Sequence, residues 1–445
     1  MKYFKINIPE YVQLIINKLN ENGYEAYVVG GCVRDSILQK IPMDWDITTS
    51  AEPCQVKHLF SQTYDTGIMH GTVTVLMDGK ACEVTTFRVD GAYQKHRKPA
   101  QVSFTDNIIE DLKRRDFTMN AIAYHPDIGF VDPFNGNADI ENKIIRCVGT
   151  AADRFEEDAL RMLRAVRFAC QLDFDIEPDT YNAICNKARL IAAVSKERIR
   201  EELNKILLSD KPEKLIYLSE TGLMPHIMEE LEACFRTQQN HPYHAYSVGM
   251  HTIKAIESAE KDIVLRWAML LHDIGKPLCR TTDDKGIDHF YGHGEKSVEI
   301  AYKILKRFKF DNKTISRIIR LIKWHDRPIE AHPRAVRKAV VTVGEDIFLD
   351  LLKVKEADIK AQNASFMNER MKRLAQIREI YFDIKESGQC LSIKDLAVNG
   401  RDLILLGIPE GERIGMVLHK LLDTVIENPK MNTKEILLDI AKKYV

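Results

Sequence analysis

The spacing of apolar residues changes character several times along the chain. In PEYVQLIINKLNENG, Val12, Ile15, Ile16 and Leu19 recur three and four apart, the mark of a helix with one buried stripe. A helix is predicted over residues 9–21, opening on Pro9 and stopping before Gly23. AYVVGG then reads as a short buried strand running into a double glycine. DWDITT and the stretch from Gly71 to Arg88 alternate apolar with polar positions and are rich in β-branched residues, which predicts paired strands. Residues 89–107 read as a polar loop carrying Lys95, His96, Arg97 and Lys98. From Ile108 onward nearly everything has a helical period. The pattern is therefore a small α+β unit up to about residue 130, a largely helical remainder beyond about 150, and a second region beginning near Asn240 after the punctuation of Pro212, Gly222 and Pro225.

Composition narrows the class. A chain of 445 residues is too long for one ordinary core, so two or more domains are expected. Hydrophobic residues at 45% and charged residues at 29% are those of a folded, water-soluble protein. No apolar run approaches the roughly 20 residues that span a bilayer. The N-terminal stretch carries polar residues throughout and lacks a small-residue cleavage site, so it is not read as a secretory signal. Nine scattered cysteines without a CxxC pair fit reduced thiols in a cytoplasm and argue against structural zinc. The net charge of −1 offers no bulk attraction to nucleic acid, so any RNA binding must rest on local positive charge.

Candidate chemistry begins at Asp44 and Asp46 in MDWDIT. Two apart on a strand, both carboxylates would leave the same face, and paired hard anions of this kind suit Mg²⁺. Upstream, AYVV leads into GGCVRD, where Gly30 and Gly31 let backbone approach a phosphate. The following helix amides and Arg34, next to Asp35, supply positive potential. A phosphate cradle followed by a carboxylate pair is what two-metal phosphoryl transfer requires. Glu83, in CEVTTF, is a third carboxylate that can complete the metal site, act as base on a hydroxyl, or simply pair with Arg88 on the solvent face. In RRDFTMNA, Arg115 can pair with phosphate, Asp116 can accept from a ribose hydroxyl and Asn120 can bridge. In EEDALRMLRAVRF, Asp158 and Arg161 lie three apart and so on one helix face, with Arg164 continuing the row. Such a pair can accept from the amine of cytosine or adenine and donate to the adjacent ring nitrogen, while uracil and guanine present the opposite polarity. An intrahelical salt bridge is the plain alternative.

Together these motifs, with the DPFNG turn and SKERIREEL (Ser195 to Leu203), resemble the class II CCA-adding enzymes, the tRNA nucleotidyltransferases of the DNA polymerase β superfamily. The resemblance implies an α+β nucleotidyltransferase head with a mixed or antiparallel sheet, followed by mostly all-α neck, body, HD module and tail. The implied segments are head 1–150, neck 151–235, HD module 236–365 and tail 366–445. It implies Asp44 and Asp46 as ligands of two Mg²⁺ ions, and Gly31, Arg34, Arg115, Arg164 and Arg167 around a triphosphate. Asp158 and Arg161 become the base-reading pair. The partners implied are tRNA, CTP and ATP. Where members more often carry two glycines this chain has Asn135 in DPFNG, and Asn tolerates the left-handed conformation. The loop at 89–107 is of full length, unlike that of members adding only cytidines. An A-adding enzyme or a poly(A) polymerase is the nearest alternative.

From His241 the chain runs HPYHAYSVGMHT, LLHDIGKP, HFYGHGE, WHD and KEADIK. This resembles the HD phosphohydrolases. It implies His251, His272, Asp273 and Asp358 as metal ligands, with His293 and His325 for a second ion, imidazole and carboxylate being suited to a divalent metal. His241, His244 and His289 read as ordinary surface or core histidines. An alternative of another class makes this region the principal activity, a hydrolase of phosphate esters or 2′,3′-cyclic phosphates with an RNA-binding head.

Overall fold

The computed structural model describes residues 5–91, 93–94, 98–99, 102–240 and 246–445. Lys95, His96, Arg97, His241 and His244, and the side chain of Lys98, lie outside the described part. The chain divides into two compact units, Met1–Glu229 and Glu230–Val445.

The first unit opens with α1 (Glu10–Glu21), which buries Val12, Ile15, Ile16 and Leu19 as the spacing requires; Pro9 caps it from outside. Next come β1 (Ala26–Val29), α2 (Gly31–Ile37), β2 (Asp46–Thr49), α3 (Pro53–Leu59), β3 (Thr63–Gly67), β4 (Thr72–Met77) and β5 (Lys80–Thr86). The segment read as a loop carries short strands instead: β6 (Arg88–Asp90) pairs with β9 (Val102–Phe104), and β7 (Tyr93–Gln94) with β8 (Lys98–Pro99). Polar alternation on a two-stranded ribbon is hard to tell from a polar loop. After α4 (Ile108–Lys113), where only helix was expected, β10 (Ala123–His125) and β11 (Gly129–Val131) complete a seven-stranded sheet of order β11-β10-β1-β2-β5-β4-β3. Its one parallel pairing is β2 with β5; the other neighbours are antiparallel. Tyr27, Val29 and Phe87 pack with Ile108 and Leu112, and Asp111 accepts from Thr48 of β2, so α4 is held to the sheet by apolar packing and a buried carboxylate. Each fully buried large side chain there contributes about 1.5–3 kcal/mol.

Beyond the sheet come α5 (Gly136–Glu141), β12 (Ile144–Ile145), α6 (Ala151–Glu157), α7 (Leu160–Leu172), β13 (Asp175–Ile176), α8 (Pro178–Lys187), α9 (Lys196–Leu207) and α10 (Tyr217–Glu220). α11 (Met224–Arg236) contains a non-helical Met228, and the boundary between the units falls just after it.

The second unit is helical. α12 (Val248–Ser258), α13 (Ile263–Leu271) and α14 (Lys276–Cys279) precede a small ribbon of β14 (Thr281–Thr282) and β15 (Asp288–His289). α15 (His293–Arg307), α16 (Asn312–Trp324), α17 (Pro333–Val343), α18 (Glu345–Lys360) and α19 (Ala364–Glu386) follow. The last helices, α20 (Gly400–Leu405), α21 (Glu412–Glu427) and α22 (Lys434–Ala441), gather around a core of their own that includes Leu403, Leu421, Val425 and Leu437. Among the described residues no helix is long and apolar enough to cross a membrane. All nine cysteines are unpaired; Cys54 and Cys185 are exposed, whereas Cys32 and Cys82 are buried beside β2.

Candidate functional site

In the first unit the parallel pairing of β2 and β5 sets Asp46 directly opposite Glu83. Asp44 does not share the strand, which begins at Asp46; it sits on the exposed approach. Strand geometry therefore does not by itself align the two carboxylates, although the Asp44 charge acts on Asp46. Burial, then Glu83, then Asp44 raise the pKa of the Asp46 carboxyl, with Arg115 acting the other way. Crowded anions beside one guanidinium are the electrostatic signature of a cation site. Among the described residues no three ligand atoms in this unit lie within 4.8 Å of one another, so the carboxylates are spread rather than closed. Glu83 is exposed and does not pair with Arg88, whose partner is Asp90.

Arginines flank this acidic edge. Gly30, at φ 81°, turns the chain into α2, and a Cβ there would lie 3.1 Å from Nη1 of Arg115. Arg34 donates to Asp35 (2.7 and 2.9 Å) and to Oδ1 of Asn120 (2.7 Å). Asn120 in turn donates to Asp116 (3.1 Å), so it links Arg34 to Asp116. RRDFTMNA forms a short 3₁₀ turn at Thr118–Asn120 rather than the start of a helix. Asp116 Oδ2 accepts two bonds from Arg164, at 2.5 and 2.8 Å. Burial alone would raise its pKa, but Arg164 outweighs this and holds the carboxyl well below the usual range. Arg34, Arg164 and Arg167 all stand over the ring of Phe168, with centroid distances of 5.2, 5.5 and 3.9 Å.

EEDALRMLRAVRF is two helices, not one. Asp158 has extended backbone (φ −136°, ψ 103°) between α6 and α7, and its Oδ1 accepts the Leu160 amide at 3.1 Å. An aspartate bonding an amide two residues ahead competes with helix and restarts it. Asp158 and Arg161 consequently do not form a helix-face pair. Arg198 of α9 binds Asp158 at 2.8 Å, and Arg161 binds Glu157 at 2.6 Å and the Arg114 carbonyl at 3.0 Å.

Three residues with no assigned role hold this framework. Fully buried Asp111 binds Arg114 (2.7 Å) and Arg115 (3.2 Å); its three- and four-residue spacing to the arginines was a legible signal. Glu202 binds Arg167 at 2.5 Å, and Arg198 orients Asp158. Both come from SKERIREEL, and only tertiary packing reveals their partners.

In the second unit the structure gathers all six residues of the histidine-rich pattern. His251, His272 and Asp273 form one set of ligand atoms within 4.8 Å, and Asp273, His293 and His325 a second. Asp358 joins the first, 2.9 Å from His251 Nε2. His251, His272, His293 and His325 each set Nδ1 against a backbone carbonyl, at 3.3, 2.7, 2.8 and 2.7 Å. That contact fixes the ring so that Nε2 faces inward, as in metal-binding histidines. Asp273 Oδ2 is buried and has no well-aligned hydrogen bond, although Lys276 Nζ lies 2.7 Å away. Burial would lower the pKa of His272, but Asp273 and Asp358 overcome it and push it up to about 10. The centre opens into a cavity of about 530 Å³ lined in part by Lys276, Tyr291, Trp324 and Arg327. His289, read as an ordinary histidine, lines it too and stacks on Tyr291.

A mixed sheet carrying an acidic edge walled by arginines, continued by helices, defines a nucleotidyltransferase. Residues 26–146 match the family model for the poly A polymerase head domain, 173–235 the one described as probable RNA and SrmB-binding site of polymerase A, and 293–441 that of tRNA nucleotidyltransferase domain 2. The CCA-adding enzyme of Pediococcus pentosaceus is 33% identical over 98% of both chains, and that of Lactiplantibacillus plantarum is 36% identical over 96% of this chain and 94% of its own. The crystal structure of the Bacillus stearothermophilus CCA-adding enzyme in complex with CTP covers 98% of this chain and 96% of its own at 30% identity, with a TM-score of 0.73. This chain belongs to the CCA-adding enzymes. Such a nucleotidyltransferase works with a divalent metal.

Proposed function

We propose that the chain adds CCA to the 3′ end of tRNA without a template, using CTP and ATP and releasing pyrophosphate. The observation that carries this reading is the Asp46–Glu83 register beside the arginine wall. Asp44 and Asp46 would hold Mg²⁺, two ions in all, which when bound supply Lewis acidity to the triphosphate and lower the pKa of the attacking hydroxyl. The raised carboxyl of Asp46 fits such a cation. Glu83 completes the ligand set or takes the hydroxyl proton. Gly30 and Gly31 leave room for phosphate, and Arg34, Arg115, Arg164 and Arg167 neutralise it. Asp35, Asp116 and Asn120 orient these arginines; Asp116, buried with both oxygens bonded, serves Arg164 rather than a ribose hydroxyl. Asp158 accepts from the base amine, Arg161 donates to the ring nitrogen, and Arg198 steadies Asp158. The head (1–150) and neck (151–235) carry this activity.

The test is to incubate the protein with tRNA ending at the discriminator base, at C or at CC, with each single nucleoside triphosphate, and to sequence the products. Stepwise C, C, A supports the reading; A alone, or a run of A, makes it an A-adding enzyme or a poly(A) polymerase.

A second reading is favoured by the two histidine sets that share Asp273. We read residues 236–365 as an HD module in which His251, His272, Asp273 and Asp358 hold one divalent cation and Asp273, His293 and His325 another. It would hydrolyse phosphate esters or 2′,3′-cyclic phosphates. Metal-stimulated phosphate release that survives Asp46→Ala and is lost in His272→Ala is the expected outcome.

A further inference from the structure

The cleft of the second unit continues past the histidine centre. Beyond the 530 Å³ cavity lies another of about 210 Å³, and the two share His325, Asp326, Pro328, Asp358 and Gln362 as a common wall. The first offers flat aromatic faces: His289 and Tyr291 stack 8° from parallel, and Trp324 also lines the cavity. The second has an apolar floor of Ile329, Ile359, Leu374 and Ile377 and carries Arg370 and Arg373, three apart on α19 and so on one side of it. Arg370 donates to Gln362, and Gln362 donates to Asp358 Oδ2 at 2.9 Å. An arginine of the outer compartment is thus tied through one amide to a carboxylate of the histidine centre. Arg373 is exposed and makes no ion pair among the described residues.

Resting on the phosphohydrolase reading, we infer that the cleft takes an oligonucleotide end bearing a terminal phosphate, rather than a mononucleotide. The terminal phosphoryl group lies at the histidine centre with its base against the aromatic faces. The next nucleoside lies on the apolar floor, and the phosphodiester joining the two meets Arg370 and Arg373. Guanidinium groups suit a phosphodiester because their donors pair with its two free oxygens. Aromatic faces take a base of any sequence. The step is hydrolysis: a water oxygen bonds to phosphorus, the bond from phosphorus to the terminal sugar oxygen breaks, that oxygen takes a proton, and inorganic phosphate leaves.

The test uses the full chain and two probes, uridine 3′-phosphate and the dinucleotide UpUp. Binding is measured by calorimetry on metal-free protein, and phosphate release with added Mn²⁺. One charge-assisted contact corresponds to about tenfold, so UpUp should bind and turn over about tenfold better than the mononucleotide. In Arg370→Ala/Arg373→Ala that ratio should fall to about twofold or less, and Arg373→Ala alone, at an exposed position, should move it the same way without a fold defect. Phosphate release with no preference for UpUp, or a preference untouched in both variants, overturns the inference and leaves the phosphohydrolase reading standing. An arginine-dependent preference in binding with no phosphate release from either probe overturns the phosphohydrolase reading and leaves the two-nucleotide site.

Discussion

Asp158 turns its carboxylate to Arg198 and the Leu160 amide, and this decides how a base could be read. A reading edge must not swing, and a guanidinium on α9 keeps the acceptor in one place. Arg198→Ala should therefore reduce selection of CTP and ATP over UTP and GTP by about tenfold, the cost of about one buried hydrogen bond to a charged group, and Arg198→Lys should restore part of it. A merely structural pair would lower the melting temperature and leave the kcat/KM ratios among the four nucleotides unchanged. Asp46 makes the opposite kind of prediction. Its raised pKa means that the ionised form is held at a cost to the fold, so Asp46→Asn should abolish addition yet raise the melting temperature by about 2 °C or more. Mg²⁺ should then stabilise the parent and not the variant. Asp116 is depressed by Arg164, so it contributes stability above about pH 4, its unfolded value, and loses it as the pH falls through the folded value. Urea titrations at neutral and acidic pH should show a larger acid loss for the parent than for Asp116→Asn.

At the scale of elements, what could be read from the sequence depended on length and on who the partners are. α1, β1, β2, β4 and β5 were legible because their apolar residues face one core, whereas β3, largely exposed, carries no such pattern. β10 and β11 were not: three residues each, they fall inside AIAYHPDIGFV, where a run so short has no period to distinguish strand from helix. The break at Asp158 was hidden because the apolar pattern runs straight across it, and only the side chain's bond to Leu160 interrupts the helix. The candidate site residues stand in motifs that can be read along the chain, whereas their partners Glu202 and Arg198 come from farther on and are revealed only by packing. The DPFNG turn was readable in part. Asn135 does adopt φ 56°, and Gly136 is obligatory, since a Cβ would meet the Thr118 carbonyl oxygen at 2.1 Å. Gly136→Ala should cost about 2 kcal/mol or more, as overpacking does when backbone must move, and should disturb the Asn120 bridge. Denaturant unfolding measures the first, and the KM for CTP the second.

At the scale of the whole molecule, two compact units each carry their own core and their own cluster of chemistry. His272→Ala with Asp273→Ala should leave nucleotide addition within a few-fold of the parent while removing metal-stimulated phosphatase activity. Loss of addition in a folded double variant would show that the units are coupled. Net charge was silent about nucleic acid because arginines gathered around Phe168 are offset by acids elsewhere.

The cysteines recorded along the fold have a practical side. Burial, and after it the Asp46 charge, raise the Cys32 thiol to about 11 against the opposing pull of its bond to the Asp46 carbonyl, and burial drives Cys82 higher still, so both stay protonated and shielded beside the acidic edge. Cys54 on α3 and Cys185 on α8 are exposed. A maleimide dye should therefore attach at those two positions and spare nucleotide addition, giving the native chain ready anchor points for following tRNA capture by fluorescence.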